Sequence, residues 1–206
     1  GMSMVAHMIE LGHIEAGLVV TAELAEELHE STIQECLRTK RFTRADFKRH
    51  FATLTIGSGA AAVLLTRDDT SKDGHRLLGG AVRTDSSGNT FCREDKESRS
   101  PTGGPLMRTD GEALLRAGCR LAQKTWEATK EELGWTNGTP DHIFTHQVGL
   151  VQRKMTLNAL KLDIDKDFPT VQFTGNTGSA ALPAAFALGI EERGIAAGDR
   201  IALLGI

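Results

Sequence analysis

Cysteine is scarce in this chain of 206 residues, with only Cys36, Cys92 and Cys119 present. Three is an odd number and no pair stands in CxxC spacing, which argues against a disulfide framework or a cysteine zinc site and fits a reducing compartment. An excess of one charge is also lacking. The 24 Lys and Arg face 27 Asp and Glu, for a net charge of -3, so no basic field holds a polyanion and nucleic acid is not an expected partner. No apolar run approaches the roughly 20 residues of a membrane span. The amino-terminal stretch is interrupted by His7, Glu10, His13 and Glu15, unlike a signal peptide. The cytoplasm is therefore the expected location. No internal repeat and no low-complexity tract is visible. His7, His13, His29, His50 and His75 lack metal-ligand spacing, so no metal is expected. The Gly57-Ser58-Gly59 turn is too short for a phosphate-binding loop and has no following Lys.

What is present is an ordinary globular composition, 40% apolar and 25% charged, enough to bury a core. Apolar positions in Met2 to Leu11 predict a short buried helix ending at Gly12. The run Ala16-Gly17-Leu18-Val19-Val20 predicts a buried strand. Residues 24–39 read as a helix with Leu24, Leu28, Ile33, Cys36 and Leu37 inward, and the acidic stretch Glu23 to Glu30 as a solvated helix face. Thr43-Arg44-Ala45-Asp46 reads as a variant capping box opening a turn of helix with Phe47 and Phe51. The glycine turn at 57–59 feeds a strand over 60–65, with Leu77 to Thr84 as its expected antiparallel neighbour. Residues 85–105 carry no period and predict an exposed loop. A long amphipathic helix follows from Asp110 to Leu133, with Leu114, Leu115, Gly118, Leu121, Ala122, Thr125 and Trp126 on one face. After Gly134 the order reads strand (142–146), helix (149–161), strand (170–174), helix (179–193), strand (200–206). Strands alternating with helices imply parallel pairing, so the expected class is α/β.

Ligands in a parallel sheet collect beyond the carboxyl ends of strands. Two segments sit at such ends, His146-Gln147-Val148-Gly149 and Gly175-Asn176-Thr177-Gly178-Ser179. His146 and Asn176 are about one strand–helix–strand unit apart, so adjacent strands would carry both to one edge. A neutral imidazole donates one N–H and an Asn amide two, and donors converging on one point form an oxyanion hole. Gly175 would let backbone pass close to a ligand, and Gly178 and Ser179 would begin the next helix with their amide dipoles. Taken singly, a strand-end histidine is ordinarily a surface or satisfied core residue and Gly-Asn an ordinary turn pair. The spacing and the flanking helices give the pair its meaning.

On these residues, with the small-residue helix Ala180-Ala181-Leu182-Pro183-Ala184-Ala185 and Gly198-Asp199 before the last strand, the segment from His142 to Ile206 resembles the carboxy-terminal half of 3-oxoacyl-[acyl-carrier-protein] synthase III. It is similar also to the acyl-CoA condensing enzymes of long-chain olefin biosynthesis, in the thiolase superfamily. Gly12 to Glu23 and Ile56 to Val63 extend the resemblance over nearly the whole chain, and Val148-Gly149 and the run Gly111 to Glu132 lean toward the olefin branch.

The resemblance implies a partial thiolase-like layered fold of mixed, mainly parallel sheets packed with helices. It assigns 1–86 to the remainder of the amino-terminal half and 87–206 to the carboxy-terminal half without its final segment. It further implies a Cys-His-Asn acyltransferase performing Claisen condensation of acyl-CoA or acyl-carrier-protein thioesters in fatty acid or olefin biosynthesis, with no other cofactor. His146 and Asn176 take the catalytic roles, and Gly175, Gly178 and Ser179 bind substrate. The nucleophilic cysteine of the family would fall about half a dozen residues before Gly1. Cys36 and Cys119 fall in helices, and Cys92 has Arg93 but no histidine beside it, so none is expected to substitute. The expected assembly is a homodimer or a complex with a chain supplying the amino-terminal half. The competing reading is a non-catalytic acyl-binding or heterodimer subunit.

Overall fold

The computed structural model describes residues 1–71, 74–94 and 104–205. Helix α1 (Met2–Glu10) leads into strand β1 (Ala16–Glu23), followed by α2 (Glu26–Arg38), α3 (Arg44–Phe51) and strand β2 (Gly59–Thr66). β1 and β2 pair antiparallel over their whole length, with Val19 opposite Val63 and Glu23 opposite Gly59. The strand expected over 77–84 is absent; that stretch runs without regular structure, and β2 takes β1 as its partner in its place. The short strands β3 (Cys92–Glu94) and β4 (Met107–Thr109) pair antiparallel inside the expected loop. The part of that loop spanning 95–103 lies outside the described residues.

Helix α4 (Gly111–Leu133) forms as the period predicts. Asp110 caps its start by accepting from the Ala113 amide at 3.0 Å, and Gly134 closes it at φ +65°, a conformation that favours glycine. The capping box of α3 is also present, Thr43 and Asp46 exchanging side-chain to backbone bonds of 3.2 and 3.0 Å. Strand β5 (His142–Thr145), helix α5 (Leu150–Leu160), the one-turn helix α6 (Val171–Thr174), helix α7 (Ala181–Arg193) and strand β6 (Ile201–Leu204) complete the chain. β5 and β6 are parallel, with Phe144 opposite Leu203. Ile206 lies outside the described residues.

The core sits on both sides of β5. Ile143 joins Trp126, Leu157, Leu160, Leu162 and Ala202 on one side, while Phe144 joins Phe168 and Ala185 on the other. The Trp126 indole donates to Asn137 Oδ1 at 2.9 Å, which satisfies its only polar atom. The small residues of α7 let it close on the strand. A Cβ at Gly189 would stand 2.2 Å from the Phe144 ring.

The amino-terminal half is more open than its apolar content predicts. α1 has no buried residue, and β1 alternates between an inner and an exposed face. Leu18 (59%), Val20 (66%) and Leu64 (64%) present an apolar outer surface. Leu24, ahead of α2, and Ile33 and Leu37 on it are exposed, and Ser31 and Thr32 occupy the buried face. Glu23 is the last residue of β1, on its inner face, not part of a solvated helix face.

Two glycines test this packing in opposite directions. A Cβ at Gly57 would stand 1.9 Å from the Thr174 carbonyl oxygen, whereas one at Gly118 in α4 meets nothing within 4 Å. Urea denaturation should show Gly57→Ala losing about 1–3 kcal/mol through overpacking, and Gly118→Ala gaining about 0.5–1 kcal/mol of helix stability. Equal effects of the two substitutions would contradict the close approach at Gly57.

Candidate active site

His146 is the first residue past β5. Its amide donates to the Leu204 carbonyl at 2.9 Å, carrying the parallel ladder one step beyond the strand, so its side chain stands at the carboxyl edge of the sheet. The next residue, Gln147, is buried at 1% exposure. Its Nε2 donates to the Phe168 carbonyl at 2.6 Å, and its Oε1 accepts from the Thr170 and Val171 amides at 2.9 and 3.2 Å. One buried amide thus ties the end of β5 to the segment that leads toward Asn176.

That segment is not the strand expected over 170–174. With the Thr170 and Val171 amides already donating to Gln147, the chain turns as the single-turn helix α6, and the Thr174 hydroxyl donates back to the Thr170 carbonyl at 3.0 Å. The neighbour of β5 is β6, so His146 and Asn176 do not lie on adjacent strands. Asn176 instead forms a parallel bridge with Ile56 at the entry to β2. Its amide donates to the Thr55 carbonyl and its carbonyl accepts from the Gly57 amide, both at 2.9 Å. Gly175 makes this possible. It sits at φ +67°, and a Cβ there would stand 2.9 Å from the Thr55 oxygen and 3.1 Å from the Gly57 nitrogen.

The two side chains nevertheless meet, at Gly178. Asn176 Oδ1 accepts from the Gly178 amide at 3.1 Å. A backbone N–H can only donate, so the carboxamide orientation is fixed with its NH₂ turned away. His146 interacts with the backbone of the same Gly178. Burial holds the imidazole below its ordinary pKa, and the Gly178 interaction opposes this in part, so His146 is neutral at pH 7. A neutral imidazole offers one N–H and one lone pair; a Gly178 contact that raises the pKa engages the N–H, which leaves the lone pair free to take a proton, and donation to a thioester oxygen requires the N–H to turn from Gly178 to the substrate. Beside the Asn NH₂, this arrangement can stabilise negative charge on a carbonyl or enolate oxygen.

The remaining predicted residues are placed as follows. Gly178, at φ +52°, opens a 3₁₀ turn (Gly178–Ala180) ahead of α7, so its amide points at Asn176 and is not a free helix terminus. The Ser179 hydroxyl pairs with the Thr21 hydroxyl of β1. Cys36 lies on α2, where burial pushes its thiol up and the Glu35 carboxylate adds to this. Cys92 and Cys119 contact the Thr109 and Thr156 hydroxyls. A concavity of about 1060 Å³ runs along α2 past Glu27, Ser31 and Ile56–Ser58; it reaches Gly57 but includes neither His146 nor Asn176. Among the described residues no group of three or more His, Cys, Asp or Glu could hold a metal ion, and no helix is long and apolar enough to cross a membrane.

Two supports were not foreseen. Gln147 stood in the motif without a role, though a polar residue flanked by a buried strand and a site histidine signals a tether. Asp167 is fully buried, paired with the Arg153 guanidinium and accepting from the Thr145 hydroxyl at 3.1 Å. This fixes the loop before α6, and nothing in the sequence spacing announces it.

Residues 131–206 match the family described as 3-oxoacyl-[acyl-carrier-protein] synthase III C-terminal. The acyl-CoA:acyl-CoA alkyltransferase of Shewanella oneidensis is 36% identical over the whole chain, which spans 60% of that relative. The crystal structure of a Cys→Ala variant of Xanthomonas campestris OleA superposes with a TM-score of 0.89 at 34% identity, over 100% of this chain and 57% of that one. The chain carries a thiolase-like α/β fold. A Cys→Ser variant of the same OleA, with lauric acid and lauroyl-CoA bound, matches with a TM-score of 0.87 at 33% identity, over 98% of this chain and 57% of that one.

Two outcomes are expected of the site. Gln147→Leu should destabilise the chain by about 2–4 kcal/mol, because it strands the buried Thr170 and Val171 amides; a loss under about 0.5 kcal/mol in urea would show that the tether carries no weight. Folding stability should also fall as pH drops below about 6.5, the unfolded value for histidine, down through the lowered folded pKa, since the folded state resists protonating His146. His50, also lowered by burial, contributes in the same sense. His146→Gln should flatten this acid limb, and an unchanged slope would contradict a buried neutral ring.

Proposed function

We propose that this chain supplies the His-Asn half of a condensing site, in an acyltransferase of the 3-oxoacyl-[acyl-carrier-protein] synthase III type acting in fatty acid or long-chain olefin biosynthesis. The observation that carries the proposal is that Asn176 Oδ1 accepts from the Gly178 amide, which turns its NH₂ the other way, while His146 interacts with the backbone of the same Gly178. In the first half-reaction a cysteine thiolate attacks an acyl thioester, the new C–S bond forms and the first thiol leaves. In the second, another thioester gives up a proton or carbon dioxide from its α-carbon. His146, on turning its one N–H from Gly178 to the substrate, and Asn176 donate to the resulting enolate oxygen, the α-carbon attacks the acyl-cysteine carbonyl, and the cysteine thiolate is expelled. Acyl-CoA or acyl-carrier-protein thioesters serve as substrates, and no other cofactor is required.

None of Cys36, Cys92 and Cys119 serves as this nucleophile; it comes from polypeptide beyond these residues. We place 1–86 in the amino-terminal and 87–206 in the carboxy-terminal half of the thiolase-like unit, acting in the cytoplasm as a homodimer or with a chain that completes the first half. The exposed outer face of Leu18, Val20 and Leu64 also favours a second reading, a binding subunit that associates through this face while a partner does the chemistry.

Incubated with lauroyl-CoA, the 206-residue chain should release no stoichiometric burst of thiol. Combined with polypeptide carrying the cysteine, it should support turnover, and Asn176→Ala or His146→Ala should lower that turnover about 10²–10³-fold. A burst from the chain alone, abolished by Cys36→Ser, Cys92→Ser or Cys119→Ser, would sink the proposal. Turnover indifferent to both site substitutions would favour the binding-subunit reading.

A further inference from the structure

The two residues that flank His146 hold one neighbouring segment. In extended chain, side chains two positions apart share a side, and Thr145 and Gln147 both turn to residues 167–168. The Thr145 hydroxyl donates to Asp167 Oδ1 at 3.1 Å, and Gln147 Nε2 donates to the Phe168 carbonyl at 2.6 Å. The backbone of the same pair runs beside β5, with Asp167 bridged parallel to Ile143 and the Phe168 amide donating to the Ile143 carbonyl at 3.2 Å. His146 thus stands between two side-chain anchors set on one length of backbone.

Asp167 is in turn held from two helices. Arg153 of α5 donates its Nε to Asp167 Oδ2 and its Nη2 to the Ile164 and Asp167 carbonyls at 2.9 and 3.2 Å. Arg193 of α7 donates to the Lys166 and Asp167 carbonyls at 2.9 and 2.8 Å, and its guanidinium lies 5.4 Å from the centre of the Phe168 ring. Burial pushes the Asp167 carboxyl up, while the Arg153 guanidinium and the Thr145 hydroxyl act against this. Stability gives little reason to keep such a group, because replacing a buried ion pair by apolar side chains of similar volume commonly leaves a protein as stable or more so. Geometry gives one. Each carboxylate oxygen is committed to a different element, Oδ2 to α5 and Oδ1 to the end of β5, one residue before the site histidine.

We propose that Asp167 is a positioning residue for His146, acting through the Thr145 hydroxyl to fix where the imidazole stands. This rests on the acyltransferase reading of the site. Asp167 and Thr145 take no part in bond making; they restrict the ring, so that its N–H has only to turn from Gly178 to the substrate.

The test follows the His146 ring signals of the labelled chain by NMR as pH is varied, in the unsubstituted chain and in Thr145→Val, Thr145→Ser and Asp167→Asn. Thr145→Val keeps the side-chain shape and loses the hydroxyl. Its His146 ring should gain water and titrate nearer the ordinary value of about 6.5, losing its cross-peaks to Gly178, and Asp167→Asn should act in the same direction. Thr145→Ser, which keeps the hydroxyl, should titrate as the unsubstituted chain does. Mixed with polypeptide carrying the cysteine, Thr145→Val should lower kcat for lauroyl-CoA about tenfold and leave KM within about twofold, because the enolate contact is made only during reaction. A Thr145→Val ring that titrates and contacts Gly178 as before overturns the proposal, even in a chain that melts earlier, since that is a purely structural role. A rise in KM at constant kcat overturns it as well. Absence of turnover from the unsubstituted mixture defeats the acyltransferase reading, and the ring titration then still decides whether Asp167 positions His146.

Discussion

The hydrogen bond from the Gly178 amide to Asn176 Oδ1 is the contact on which the arrangement turns. It orients the carboxamide, and it holds Gly178 where the His146 ring meets the same backbone. The bond depends in turn on a backbone-to-backbone approach that only glycine permits, at Gly57 and Gly175, where Asn176 bridges Ile56. Substituents on either glycine would push the loop off β2 and move the Asn side chain with it. The site therefore draws on both halves of the chain: Asn176 is held against the entry to β2, while His146 stands at the end of β5.

His146 reaches the same point by a separate route. β5 is buried on both faces, its ladder with β6 runs one residue past the strand, and Gln147 locks the turn that follows. Burial that secures the position also keeps the imidazole neutral, so one physical cause sets both place and protonation. Packing and chemistry are coupled here, since loosening the core around Phe144 would relax the desolvation that lowers the His146 pKa.

The sequence made some of this legible and concealed the rest for definite reasons. Helix α4 declared itself through a long apolar period and a glycine stop, and Thr43 with Asp46 announced a cap, because these signals are local. His146 and Asn176 were legible as a pair because each closes an element before a helix. The segment 170–174 misled, since Val171 and Phe173 carry strand propensity while a distant residue, Gln147, takes the amides a strand would need. Leu18 and Val20 read as buried because apolar residues alone do not tell which face has a covering layer. Glu23 read as part of a wet acidic helix because its neighbour lies 155 positions away at Gly178, and no local pattern records such a contact.

The central claim, that His146 and Asn176 are gathered at Gly178, is open to one direct measurement. Nuclear Overhauser spectra of the labelled chain should show cross-peaks from the Gly178 amide to the Asn176 side-chain NH₂ and from Gly178 to the His146 ring protons. Cross-peaks joining Gly178 to Asn176 but leaving the His146 ring with none to this loop would contradict the account.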